Sequence, residues 1–235
     1  MNTSHEQQAS EQAAQERIKA SHQLDGDAVR LAHYYSGWAN SYNLDVDRDR
    51  YCGPVVVAEL AATMQAAYMD ENRAAMAILD AGCGTGLVGR QLVRLGFQLI
   101  DGFDLSEAMA EKARQTGIYR QVQSKVDLNQ PPLGFSGASY DMTVCCGVFT
   151  LGHVRPRGLR ELVRVTRPNG FVIVSTRKSY AEATSFENEV LCLQNEGTVA
   201  PAQCLNDGKY LDEEDAHYWI FRVPKTPTPQ QTRRS

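Results

Sequence analysis

The sequence has no apolar run approaching the ~20 residues of a membrane-spanning helix, so no membrane association is expected. Its first residues lack the basic-then-apolar layout of a secretory leader. Charge of one sign is also missing. Twenty-four Lys and Arg stand against 28 Asp and Glu, for a formal net charge of −4, which leaves no cationic footprint for nucleic acid or an anionic surface. The six cysteines, Cys52, Cys83, Cys145, Cys146, Cys192 and Cys204, form no C-x-x-C pair and have no histidine at ligand spacing. A metal site is therefore not expected, and the thiols read as reduced in a cytoplasmic protein. What remains is ordinary: 235 residues, 43% hydrophobic and 22% charged, enough for one α/β domain with appendages.

The informative stretch is Ile78-Leu79-Asp80-Ala81-Gly82-Cys83-Gly84-Thr85-Gly86-Leu87-Val88-Gly89. Met76 to Leu79 reads as a buried strand ending in an acid, and a helical pattern starts at Leu87. Glycines between them allow positive φ and close approach of a ligand, and a helix start presents unpaired N–H groups. The stretch therefore predicts a nucleotide-type ligand. Gly84-x-Gly86-x-x-Gly89 with Asp104 roughly 20 residues on fits the dinucleotide fingerprint. Asp80 argues against it, because a carboxylate at the strand end would repel a pyrophosphate. The same carboxylate suits a cationic nucleoside bearing an ammonium and a sulfonium.

Around this loop the chain alternates strand and helix, predicting parallel right-handed crossovers. Residues 1–27 read as a flexible segment, 28–75 as a helical cap or lid, 76–223 as the ligand-binding domain and 224–235 as a tail. Pro54 to Met69 has helical spacing and suits packing on the sheet. Leu87 to Leu95 is a helix, Phe97 to Phe103 a strand, and Glu107 to Gln115 a helix with Ser106 as its N-cap. Further strands are expected at Gln121–Val126, Tyr140–Cys146 and Phe171–Thr176. A helix is expected at Arg157–Arg167, with Pro168-Asn169-Gly170 as a turn after it. A helix at Ser185–Asn195 precedes a closing antiparallel hairpin of Tyr210-Leu211 and Tyr218–Val223.

Several of these segments resemble the class I S-adenosylmethionine (SAM) methyltransferases. The D-x-G-x-G-x-G run Asp80 to Gly86 is similar to their first motif, "GFDLSEAMAEKAR" to their second, Tyr140-Asp141 to their "FD" strand, and "ELVRVTRPNGFVIVSTR" to their last parallel strand. "HYYSGWANSYNLDV", "LDAGCGTGLVG" and "GIYRQV" resemble the methyltransferase-like proteins of the Williams–Beuren region type. The resemblance implies a Rossmann-like α/β fold: a seven-stranded, mostly parallel sheet with helices on both faces and an N-terminal helical cap. It implies SAM bound by Tyr35, Trp38, Tyr42, Asp80, Gly82, Cys83, Gly84, Thr85, Gly86, Asp104, Leu105, Ser106, Met109, Asp127, Leu128 and Cys146. In this set Asp104 takes the ribose hydroxyls, Asp127 and Leu128 the adenine, and the cap aromatics the sulfonium. Asn43 stands where the family more often has an acid, which leaves that position without an implied catalytic role.

The family's amino-methylating motif D/N-P-P-Y is missing after the fourth strand. Cys146-Gly147-Val148-Phe149 stands there instead. Tyr35 and His153 are the catalytic candidates, with His153 a possible general base or a plain loop histidine, and Phe149 lies on the substrate side. Tyr34, Trp38, Phe149, Tyr180 and Tyr218 read as an aromatic lip favouring a small, partly apolar acceptor. The expected partner is thus a small molecule, with no nucleic acid, and the chain is expected to be a monomer or homodimer. A second reaction fits the same residues, in which SAM is the substrate and cyclises to an azetidine-2-carboxylate-type amino acid with release of methylthioadenosine.

Overall fold

Apolar strands that carry no polar alternation must be buried on both faces, and here they are. The computed structural model describes residues 12–225, apart from 14, 22 and 213. The expected tail at 224–235 lies almost wholly outside the described residues. The parallel strands are β1 (Ala77–Ala81), β2 (Leu99–Asp104), β3 (Gln121–Ser124), β4 (Tyr140–Phe149) and β5 (Thr166–Arg177). Strands β6 (Gln203–Gly208) and β7 (Ala216–Arg222) follow. They form one seven-stranded sheet in the order β3-β2-β1-β4-β5-β7-β6. Pairing is parallel from β3 through to β5, and β7 is antiparallel to both its neighbours. The strand order reverses between β1 and β4, and in such sheets the crevice at the strands' carboxyl ends takes the ligand.

Helices cover both faces. After a helical N-terminal segment come α1 (Ala28–Trp38), α2 (Tyr42–Arg48), α3 (Gly53–Tyr68) and α4 (Leu87–Arg94). They are followed by α5 (Glu107–Gln115), α6 (Leu159–Val165), α7 (Lys178–Ala183) and α8 (Phe186–Asn195). Alternate strand residues serve opposite cores. Ile78, Ile100, Val144 and Ile173 join Val57, Ala61 and Met64 of α3, while Leu79, Cys145, Val172 and Val174 join Leu162 of α6 and Phe186 of α8.

Several boundaries differ from expectation, and four of the differences bear on the site. The hairpin's first strand is 203–208 rather than 210–211, because Tyr210 and Leu211 are drawn into the core. Pro168-Asn169-Gly170 is not a turn between helix and strand. It lies within β5 as an irregularity in the β4 pairing, with Asn169 at φ 64°. Of the expected cap, 28–75, only α1 and α2 sit over the carboxyl edge, since α3 packs on the sheet. Residues 15–21, inside the stretch expected to be flexible, are helical, with Ile18 and Ser21 buried.

The cap is held by one buried carboxylate. Asp45 of α2, 1% exposed, accepts from Trp38 Nε1 at 2.7 Å and from Arg17 through Nε at 2.9 Å and Nη2 at 2.8 Å. Burial raises its pKa, but these donors outweigh burial and leave it below the usual range. One acid thereby ties the N-terminal segment, α1 and α2 together. Asp45→Ala, which strands the Trp38 and Arg17 donors, is expected to lower the unfolding free energy by about 1–3 kcal/mol in urea titrations. A loss indistinguishable from zero would show that apolar packing alone holds the cap.

Candidate active site

The ends of β1, β2 and β4 and the inner face of α1 and α2 enclose a cleft of about 710 Å³, counted with its mouth. Eleven of the residues singled out from the sequence line it: Tyr35, Tyr42, Gly82, Gly84, Asp104, Leu105, Met109, Asp127, Leu128, Cys146 and His153. Trp38, Asp80, Cys83, Thr85, Gly86 and Ser106 do not. Lining residues that sequence reasoning missed are Leu31, Phe103, Val126, Asn129, Gly147, Val148 and Val154. Most are apolar neighbours of a singled-out residue. Periodicity marks such residues as core, and only the fold shows that they end at a cleft.

Asp104 ends β2 and is fixed on both sides. Its Oδ2 accepts from Gly84 N–H and its Oδ1 from Ser106 N–H, each at 2.8 Å. Each oxygen keeps acceptor capacity toward the cleft. Burial pushes its pKa up to about 6, against the pull of these N–H groups. On the Cβ side of Gly84, at φ +54°, no protein atom lies within 4 Å, so the loop presents bare backbone to open space.

Asp80 is placed otherwise than expected. It is 1% exposed and lies behind the loop, not in the cleft. Its Oδ2 accepts from the Tyr119 hydroxyl at 2.7 Å. Its Oδ1 is enclosed with no hydrogen-bond partner among the described residues. A Cβ on Gly89 would come within 2.3 Å of the Tyr119 oxygen, so this glycine makes room for the tyrosine that reaches Asp80. Burial, chiefly, pushes the Asp80 pKa up to about 7. Tyr119 opposes the shift and Asp104 adds to it. Asp80 thus places its carboxyl behind the glycine loop.

The remaining loop residues are anchors. Thr85 donates its hydroxyl to Asn43 Oδ1, tying α2 to the glycine loop. Cys83 N–H donates to the Phe103 carbonyl at 2.9 Å. Ser106 caps α5 by accepting from Met109 N–H. Asp127 accepts from Asn129 N–H at 2.8 Å and from the Gln130 side chain at 3.1 Å, beside buried Leu128.

At the cap, the Tyr35 ring stacks on Trp38, with centroids 5.8 Å apart. Its hydroxyl donates to His153 Nε2 at 2.8 Å, because His153 Nδ1 must donate to the Leu151 carbonyl, 2.8 Å away. Burial lowers the His153 pKa to about 4 and raises that of Tyr35 to about 12. Both are neutral at physiological pH, and the pair joins α1 to the segment after β4. A general base at His153 would have to give up this bond. The expected lip is not one. Phe149 packs on Tyr180 and Phe186 in the core. The hydroxyls of Tyr34, Tyr180 and Tyr218 are tied to the carbonyls of Arg17, Val154 and Lys209. Trp38 backs Tyr35 and Tyr42 from behind.

An open α/β sheet with its cleft at the switch point, a glycine loop after β1 and an acid at the end of β2 define a Rossmann-like nucleoside-binding domain. Comparison with known proteins makes the class specific. Residues 79–174 match the family described as methyltransferase domain. Methyltransferase-like protein 27 of Homo sapiens is 34% identical over 161 residues, covering 68% of this chain and 63% of that protein. A malonyl-[acyl-carrier protein] O-methyltransferase of Erwinia pyrifoliae is 31% identical over 138 residues, covering 59% of this chain and 47% of that one. The chain thus spans about half to three-fifths of the length of these relatives. Among solved structures, the CurJ carbon methyltransferase superposes with a TM-score of 0.63 at 14% identity, over 94% of this chain and 69% of that one. The magnesium protoporphyrin IX methyltransferase of Synechocystis PCC 6803 with bound SAH has a TM-score of 0.55 at 18% identity, over 80% and 96%. At such identities these two likenesses speak for the fold alone. Residues 79–174 thus match a methyltransferase domain, and the chain is similar to class I SAM-dependent methyltransferases.

An acid whose native pKa lies above its unfolded value of about 3.9 takes up protons on folding. Its penalty is absent at low pH and fully felt above about 7. Ligand-free Asp80→Asn is therefore expected to be more stable than the parent above pH 7, with the advantage vanishing toward about pH 4. Thermal unfolding across that range checks it. A pH-independent difference would mean that the Asp80 carboxyl is not perturbed.

Proposed function

We propose that the protein is a SAM-dependent methyltransferase acting on a small molecule held beneath the α1–α2 cap. The observation that carries this reading is Asp104, fixed by two backbone N–H groups at the end of β2 with acceptor capacity left toward the cleft. The residues also fit the cofactor elsewhere. Gly84 leaves a cradle that a Cβ would fill, and the orphaned Asp80 Oδ1 supplies negative charge behind it. Asp104 would hold ribose hydroxyls, Asp127 and Leu128 the base, and Tyr35 and Tyr42 would cover the cationic end.

When bound, SAM supplies an electrophilic methyl carbon, whose bond to sulfur breaks with its electron pair returning to sulfur as an acceptor lone pair takes the carbon. The chain's contribution is orientation and exclusion of water. The Tyr35–His153 hydrogen bond and the Asn43–Thr85 hydrogen bond close the cap from two sides. Because Tyr35 and His153 both resist charging, an acceptor that binds already nucleophilic is favoured over one that must first lose a proton.

Two measurements test this. Asp104→Asn is expected to weaken S-adenosylhomocysteine binding by about 10- to 100-fold in calorimetric titration, and unchanged affinity would remove the cofactor assignment. Mass spectrometry of SAM incubated with the protein alone is expected to show intact SAM. Methylthioadenosine with a new cyclic amino acid would replace methyl transfer by cyclisation.

A further inference from the structure

Behind the cleft lies a second chamber of about 360 Å³, counted with its mouth. Tyr35, Tyr42 and Gly147 line both spaces, so the two meet there. Gly147 makes the junction thin: it lies at φ +77°, and a Cβ on it would come within 2.7 Å of the Tyr51 hydroxyl. On its far side the chamber shares Ile18, Arg177 and Leu211 with a neighbouring cavity.

The chamber's walls are aromatic, with Tyr35, Trp38, Tyr42, Tyr51 and Tyr210. Among the described lining residues there is one charged side chain, Arg177, and no acid. Arg177 ends β5 with 12% of its side chain exposed. Its Nη1 donates to Glu214 at 3.0 Å, and Glu214 is itself held by Ser179. The guanidinium lies over the Tyr210 ring, 5.6 Å from the centroid. Its Nε is enclosed and has no acceptor among the described residues. Nε belongs to the edge of the fork that Glu214 leaves unused, and such an edge takes a carboxylate side-on. Thr150, 3% exposed, lines the same chamber, and its hydroxyl is also enclosed without a partner. Buried polar atoms without partners are uncommon in folded proteins and call for an explanation. Here a donor edge and a hydroxyl share one small aromatic chamber beside the proposed methyl-transfer site.

We propose that this chamber is the acceptor site and that it takes a small aromatic or apolar carboxylic acid, whose carboxylate is bound by Arg177 and Thr150. The proposal rests on the methyltransferase reading above. The carboxylate is the anchor at the Arg177 end, and the atom to be methylated lies at the opposite end, against Tyr35, Tyr42 and Gly147. The aromatic walls hold the body between them.

The test uses matched pairs of small acids and their primary amides: benzoate and benzamide, phenylacetate and phenylacetamide, cinnamate and cinnamamide. Binding is followed by ligand-observed NMR on the full chain, with and without S-adenosylhomocysteine. At least one acid is expected to bind saturably and about 10-fold or more tighter than its amide. Arg177→Gln is expected to abolish that preference, and Thr150→Val to weaken acid binding while leaving S-adenosylhomocysteine affinity unchanged. That unchanged affinity also shows that each variant folds; should Arg177→Gln fail to fold, Thr150→Val and Arg177→Lys carry the test. The proposal is overturned if no acid binds, if acids and amides bind alike, or if the folded variants keep the parent's acid preference. Failure of the parent chain to bind S-adenosylhomocysteine would instead overturn the methyltransferase reading, and the titrations without it still report the chamber's preference for acids.

Discussion

The constraint on which the rest of this structure depends is the reversal at the end of β1. A parallel strand must stop there, turn through backbone without side chains and start a helix. The loop that results leaves an acid with one enclosed, unpartnered oxygen, Asp80 Oδ1, under bare backbone at Gly84. Tyr119 crosses from beyond α5 to satisfy the other oxygen, and Gly89 is small so that it can. Asp104, one strand over, is fixed by an N–H of the same loop. Two carboxylates thus converge on one turn, both pushed up in pKa by burial. The fold tolerates a cost in polar burial at the place where a cation would be most useful.

The cap answers to a different acid. Asp45 draws Trp38 and Arg17 together, and Trp38 then supports the two tyrosines that face the cleft. Three hydrogen bonds fasten this assembly to the sheet edge: Tyr35 to His153, Thr85 to Asn43, and Gly26 N–H to the Gly152 carbonyl at 2.8 Å. Aromatics that look like a ligand cage in one dimension divide in three. Tyr35 and Tyr42 line both the cleft and the chamber, Trp38 lines the chamber behind them, and Tyr34 packs against Tyr35 and Trp38 from outside.

Much of this was legible in advance. Strand–helix alternation, the glycine loop and Asp104 follow from local pattern, since each depends on residues a few positions apart. The fold-positioned residues did not follow. Arg177 falls just past the expected strand Phe171–Thr176, Thr150 lies in no predicted element, and Gly147 is one glycine among eighteen. Their proximity depends on β4, β5 and the N-terminal segment meeting at one edge. The hairpin shifted for the same kind of reason: Tyr210 has strand propensity, but burial beside Tyr51 and Tyr218 outweighs it.

The sequence by itself determined the strand–helix alternation of a parallel α/β sheet and the residues that make a nucleoside loop, because periodicity and glycine spacing are local properties of a chain. Only the tertiary structure decided which side of that loop Asp80 occupies, which aromatics are wall and which are support, and that an arginine and a threonine 27 positions apart (177 less 150) line one chamber. Those outcomes depend on long-range packing, where the free energy of burial, not the identity of sequence neighbours, assigns each side chain its place.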